Sequence, residues 1–302
     1  MSIITLSGLT KKYGKNTVLD NFSMSVEKGH IHGLIGPNGA GKTTIMKIIA
    51  GLCAQTSGEL SLFGQKENLD KLRSRMSFMI EAPIIDPNMR AIENMEYIRR
   101  VKGIADKELS QKMLDYVGIG NTGKKLVKKF SLGMKQRLGI AMSLISSPEI
   151  MILDEPVNGL DPEGIVEIRN LLKKLAKEQG VTIIISSHLL TELSELCDDF
   201  TIMNKGKLIE TLSASELAQK CRSFISLKTD DINKTCTVLE EKLSIFQYKV
   251  INDDEIQIYE RLDELMLISK TITDNSLIIT RLSSESESLE QYYLSKVGVE
   301  NA

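Results

Sequence analysis

The run Gly36-Pro37-Asn38-Gly39-Ala40-Gly41-Lys42-Thr43 fits the spacing G-x-x-x-x-G-K-[ST], and Thr44 follows it. Phosphate binding calls for this chemistry. Successive backbone N–H groups of a glycine-rich loop form a concave anion site, and the positive end of the next helix points at the same oxygens. In that pattern Lys42 reaches the β- and γ-phosphates and the Thr43 hydroxyl ligates Mg²⁺. The flanks suit the motif: Ile31-His32-Gly33-Leu34-Ile35 reads as a short buried strand, and Thr44 to Ala50 reads as a helix. Strand, loop and helix in this order argue against a glycine-rich turn that matches by chance. The pattern implies a nucleoside triphosphate.

A second element could complete the chemistry. Glu149-Ile150-Met151-Ile152-Leu153-Asp154-Glu155-Pro156 is an apolar run ending in two acids. A buried parallel strand with a catalytic edge at its C-terminal end has this form. Asp154 would hold the hydration shell of Mg²⁺, and Glu155 would polarise the attacking water. Taken alone, the same pair also suits a solvated strand end or a helix cap.

Between these elements lies Lys129-Phe130-Ser131-Leu132-Gly133-Met134-Lys135-Gln136-Arg137-Leu138-Gly139-Ile140-Ala141. It resembles a divergent form of the L-S-G-G-Q signature of the ABC-transporter ATPases, matching at Ser131 and Gly133 and departing at Phe130, Leu132 and Met134. Ser131 at the head of a capped amphipathic helix would give the same local pattern. The order of motifs carries the resemblance further. After the acidic strand come Asn158-Gly159-Leu160-Asp161-Pro162 and then Ser186-Ser187-His188, similar to the family's D-loop and switch histidine. Tyr13 stands where the family stacks an aromatic ring on adenine, although half-buried packing would also account for it.

Ser77-Phe78-Met79-Ile80-Glu81-Ala82-Pro83 places a glutamate where the family normally has a glutamine that contacts metal and water. That glutamate resembles the subgroup exporting bacitracin-like and lantibiotic peptides, as do Pro83-Ile84-Ile85 and Asn94-Met95-Glu96-Tyr97. The alternative for Glu81 is a solvated strand end. The resemblance implies ATP and Mg²⁺ as ligands. It places the nucleotide against Tyr13, Gly36, Asn38, Gly39, Ala40, Gly41, Lys42, Thr43 and Thr44, with Ser131, Gly133, Met134 and Asp161 completing the site. It gives Thr43, Asp154 and Glu81 to the metal and Glu155, His188 and Glu81 to catalysis.

These residues need elements to hold them. Ile3 to Val26 alternates as paired antiparallel strands do, Gly58 to Gly64 reads as a strand, and Asn88 to Ile145 turns helical, with Met95, Ile98, Val101 and Ile104 on one expected stripe. Ile165 to Lys177 reads as an amphipathic helix, Val181 to Ser186 as a buried strand, Leu189 to Leu196 as a helix, and Phe200 to Leu212 as a hairpin around Lys205-Gly206. The expected fold is α/β, which the resemblance makes a RecA-like core with an antiparallel β subdomain and a helical subdomain over residues 1–217. Residues 218–302 read β-α-β-β-α-β, a small ferredoxin-like α+β domain. There Ser283 to Ser288 is expected as a polar link, and Ser288 to Val297 as a last helix.

Composition narrows the function. In 302 residues, 38 basic and 40 acidic side chains leave a formal charge of −2, which offers no electrostatic footprint for nucleic acid. Cys53, Cys197, Cys221 and Cys236 lack metal-ligand spacing and read as free, buried thiols of a reducing cytosol. No signal-like apolar segment follows Met1, and the longest apolar runs fall far short of the ~20 residues of a membrane helix. A membrane role would need a second chain. The resemblance supplies one: a permease at the cytoplasmic face of the cell membrane, with a second copy of the ATPase closing head to tail over ATP. Ile84, Ile85 and Met89 are the expected permease contacts, with buried packing as the alternative. The implied activity is ATP hydrolysis that powers peptide export. An importer with a substrate-sensing C-terminal domain, or an ABC ATPase acting on ribosomes or DNA, are the alternatives.

Overall fold

A computed structural model describes residues 2–187, 190–221, 223–286, 292–293 and 296. The chain divides into two compact units, Met1–Ala214 and Ser215–Ala302.

The first unit opens with β1 (Ser2–Tyr13) and β2 (Asn16–Glu27), then β3 (Ile31–Ile35), α1 (Lys42–Ile49) and β4 (Ser57–Leu62). Next come α2 (Leu69–Arg73), β5 (Met76–Met79), α3 (Ala91–Val101), α4 (Leu109–Tyr116) and α5 (Leu132–Leu144). It continues with β6 (Ile150–Asp154), α6 (Pro162–Gln179), β7 (Thr182–Ser187), α7 (Leu190–Ser194), β8 (Asp199–Asn204) and β9 (Lys207–Ser213). Two sheets result: an antiparallel one in the order β2-β1-β4, and a six-stranded one in the order β5-β6-β7-β3-β8-β9. The larger sheet is parallel except for the β8–β9 hairpin. Its inner strands are enclosed because helices and the second sheet cover both faces: every residue of β3, β6 and β7 is buried.

Helix α1 lies at the centre of this packing. Its Ile45, Met46, Ile48 and Ile49 share one core with Ile4, Leu6, Phe22 and Leu62 of the small sheet and with Ile150, Ile152 and Ile184 of the large one. The apolar face of such a helix must be enclosed, and residues of the two sheets enclose this one. The loop before α1 is therefore fixed at the C-terminal edge of the parallel strands.

The helical insertion is held differently from the expected stripe. Met95 is buried, but Val101 is exposed, and Ala91, Asn94 and Arg99 take the inner face instead. The stripe Met95-Ile98-Val101-Ile104 advances by three residues each time, so it turns about 60° off the face at every step. Polar bonds fill the gap. The Arg99 guanidinium bonds Glu96 at 2.9 and 2.8 Å and also donates to the Ile104 carbonyl, while Ser110 of α4 donates to Glu96 at 2.5 Å.

Helix α8 (Ala214–Lys220) begins at the division between the units. The second unit continues with β10 (Ser223–Thr229), α9 (Ile232–Leu243), β11 (Tyr248–Val250), β12 (Glu255–Ile258), α10 (Leu265–Asp274) and β13 (Ile279–Ser286). The strand order is β11-β12-β10-β13, all pairs antiparallel. Ile225, Leu227, Leu239, Leu243, Ile256, Ile258, Ile268 and Ile272 form its core. Ser283 to Ser286, expected as a polar link, are the end of β13, with Ser286 opposite Ser223. An edge strand needs only one backbone partner, and the polar side chains satisfy one another: Arg281 and Ser283 both donate to Glu285. The expected helix over 288–297 falls largely outside the described residues. Of the four cysteines only Cys197 is buried; Cys53, Cys221 and Cys236 are partly exposed, and all four are free thiols.

The Arg99 and Ser110 bonds hold the Glu96 carboxyl down to about 2, from an ordinary 4.5. A carboxylate depressed in the folded state gives stability that is fully present above its unfolded value and is lost as pH falls through the folded one. Acid titration of the melting temperature should therefore show a loss between about 4.5 and 2. Glu96→Gln should lower stability at neutral pH and flatten that part of the profile; an unchanged profile would remove Glu96 as its origin.

Candidate active site

The phosphate-loop backbone is set by close approach. A Cβ at Gly36 would come within 2.7 Å of the Met203 carbonyl oxygen. Gly41, the N-cap of α1, has φ 110°, and a Cβ there would lie 2.7 Å from Leu19. Only glycine fits either position. No side chain caps α1, and its first turn holds no acid, so its leading N–H groups face an anion site with the positive end of the helix behind them.

Lys42 is only 6% exposed. Its ammonium donates to the carbonyls of Gly36 at 2.7 Å and Pro37 at 3.4 Å, and stands 3.6 Å from Glu155. A cation this enclosed needs anionic compensation, and a polyphosphate in the loop would supply it. Thr43 donates to Asp154 at 2.8 Å, tying the start of α1 to the end of β6. These two hard oxygen donors suit Mg²⁺, which takes one or two protein ligands and completes its shell with phosphate and water. Among the described residues no group of three or more His, Cys, Asp or Glu could hold a metal ion without such help.

Residues that sequence reading missed hold these acids. Ser186, buried near the end of β7, donates to Asp154 at 2.5 Å and accepts the Glu155 N–H at 2.9 Å. Its visible signal was a serine ending an apolar strand. Glu155 is left-handed at φ 50°, a strained backbone for a side chain and a frequent mark of functional sites. Lys42, Thr43 and Glu155 thus border one cavity of about 260 Å³, with Val18, Asn38 to Gly41, Thr44 and Asn158, and Asp154 is bonded to its lining residue Thr43.

The remaining candidates gather elsewhere. Ser131 caps α5 by accepting the Met134 N–H at 3.2 Å. Asp161 caps α6 by accepting the Gly164 N–H at 3.0 Å. Both line a second cavity of about 720 Å³ with Gly133, Met134, Gly159 and Leu160. The two cavities have no lining residue in common. Tyr13 is 51% exposed, with the Lys11 ammonium 4.6 Å from its ring. A hydrogen bond with Cys53 pushes its hydroxyl above the ordinary tyrosine value. Glu81 is exposed, left-handed at φ 69° and paired with Lys47 at 2.6 Å. His188 and Leu189 lie outside the described residues.

Residues 19–158 match the family described as ABC transporter. The chain is 38% identical over 299 residues to the bacitracin transport ATP-binding protein BcrA of Bacillus licheniformis, covering 98% of each chain. The chain belongs to the ABC-transporter ATP-binding proteins. The lantibiotic transport ATP-binding protein SrtF of Streptococcus pyogenes is 46% identical over 207 residues, 68% of this chain and 89% of that one. A solved ATP-binding cassette, dimeric and in a post-hydrolysis state with ADP and Pi, superposes with a TM-score of 0.63 at 25% identity, over 70% of this chain and 98% of that one. In this ABC protein no helix among the described residues is long and apolar enough to cross a membrane.

Two substitutions probe the edge. Lys42→Ala should abolish measurable ATP binding by calorimetry, because the triphosphate would lose its charge-assisted partner; wild-type affinity would sink the site. Glu155→Gln should keep ATP bound while turnover falls about 10²- to 10⁴-fold, the usual loss with a general base. Phosphate release at the native rate would refute that role.

Proposed function

We propose that this chain is the ATP-hydrolysing subunit of an exporter for antimicrobial or other amphipathic peptides of the bacitracin and lantibiotic kind, working through a separate membrane permease. The observation that carries this reading is likeness to a bacitracin transport protein across 98% of both chains. It extends beyond the nucleotide-binding part, assigned to residues 1–217, into the accessory part, assigned to 218–302, for which a regulatory or dimer-supporting role is the reading.

Each residue then has a task. The loop N–H groups and Lys42 bind the phosphates, and the exposed Tyr13 ring offers a face for adenine. Thr43 and Asp154 would hold Mg²⁺, which supplies charge neutralisation on the phosphates. Glu155 orients the attacking water and accepts its proton, and His188 acts beside it. Ser131, Gly133, Met134 and Asp161 serve the nucleotide of a second copy, which would explain why they line a separate cavity. Closure is tied to ATP because only a ligand that prefers the closed pair shifts the equilibrium. Ile84, 94% exposed, suits contact with the permease better than internal packing, while Ile85 and Met89 are half-buried. The work is done at the cytoplasmic face of the membrane, and nucleic acid is not a partner.

Co-purification from its own cells should bring down an integral-membrane protein. Cells carrying that protein with the wild-type chain should tolerate more bacitracin or lantibiotic than cells carrying Glu155→Gln. Recovery with ribosomes or DNA instead, or equal tolerance in both strains, would overturn the transport assignment.

A further inference from the structure

Lys47 has no task in the reading above, and neither has its partner Glu81, the acid that stands where the family normally has a glutamine. It lies four residues after Thr43 on α1, on the side of the helix that Thr43 occupies. Its ammonium donates to Glu81 at 2.6 Å. Glu81 comes from another element, two residues beyond Met79 of β5. Met79 pairs in register with Leu153, the neighbour of Asp154. One ion pair therefore joins the helix that carries the phosphate loop to the strand beside the acidic strand.

We propose that Lys47 is the positioning residue of Glu81: it neutralises the carboxylate that this chain carries just past the carboxyl end of β5, and it holds that carboxylate at the edge of the sheet where the nucleotide site is proposed. The inference rests on the proposed nucleotide site. Its ground is electrostatic. A free glutamate here would add repulsion to a site already holding Asp154 and Glu155, whereas a Glu–Lys pair adds no net charge. The left-handed Glu81 backbone, at φ 69°, is a conformation that a side-chain tether can maintain against its preference. Burial does not account for the pair, since the two side chains are 36% and 67% exposed. Exposed pairs add little to folding, so its removal can be read in nucleotide handling rather than in unfolding.

The test uses the full-length chain with Mg²⁺–ATP, comparing Lys47→Gln, Lys47→Arg, Glu81→Gln and the Lys47→Gln/Glu81→Gln double variant. Lys47→Gln should weaken ATP affinity about tenfold by leaving Glu81 uncompensated, with an unchanged melting temperature. Lys47→Arg should bind near the wild-type level. The double variant should recover to within about twofold of wild type, because a neutral amide needs no counter-charge. Wild-type affinity in Lys47→Gln, or a double variant as weak as the single one, would overturn the role of Lys47. Lys42→Ala serves as the separate control. If it binds ATP normally, the nucleotide site itself is misassigned; if it loses ATP while the Lys47 variants are unaffected, only this inference falls.

Discussion

A phosphate site made of backbone N–H groups works only if the loop presenting them cannot relax around the anion. Here the constraint is the burial of α1 between two sheets. Ile45, Met46, Ile48 and Ile49 have almost no surface, so the helix cannot shift without opening the core of the unit. Each fully buried aliphatic side chain contributes roughly 1.5–3 kcal/mol, far more than the single bonds within the loop. The loop is further clamped by the Gly206 N–H on the Ala40 carbonyl at 2.9 Å. Lys42, Thr43 and Lys47 all project from this one helix, so its immobility passes to each of them.

Sheet register places the acids against that fixed helix. Asp154 pairs with Ser186 on β7, and Ser187 pairs with Ile35, the last residue before the loop. Three adjacent parallel strands thus end at one level, the arrangement that puts ligands at the carboxyl edge of open α/β sheets. Ser186 bonds both the Asp154 carboxylate and the Glu155 N–H, so one hydroxyl sets the orientation of two acids with different tasks. By contrast, Ser131 and Asp161 spend their side chains on capping helices. What those turns offer to an outside ligand is the space of the second cavity, lined by none of the residues of the first.

The legible part of the sequence was the part governed by local chemistry. Gly36 to Thr43 could be read because loop geometry demands glycine at set positions, and β3, β6 and β7 because strands buried on both faces are mostly apolar. The second unit was readable from its alternation. Tertiary choices were not. Val101 looked like core because its type and spacing were apolar, but Arg99 took the inner face through its bonds to Glu96 and to a backbone carbonyl. Ser283 to Ser286 looked like a link because apolar alternation stopped, whereas an edge strand is held by backbone pairing that side chains do not report. Ser186 and Lys47 were overlooked for a related reason: each gains its meaning from a residue more than thirty positions away.

The charges at this edge explain why position matters more than count. Asp154 and Glu155 bring two carboxylates to the proposed phosphate site, against the Lys42 ammonium, and the Glu81–Lys47 pair stands outside the residues that line its cavity. In bulk water such crowding would be mild; at a partly dry edge the same charges interact several times more strongly. Each carboxylate is accordingly tied down: Asp154 by the Thr43 and Ser186 hydroxyls, Glu155 within 3.6 Å of Lys42, and Glu81 by Lys47. A divalent cation entering with the nucleotide would find oxygen donors already oriented and their repulsion already partly offset. That arrangement lets a site rich in acid still favour a polyanion, provided the anion arrives with its own metal.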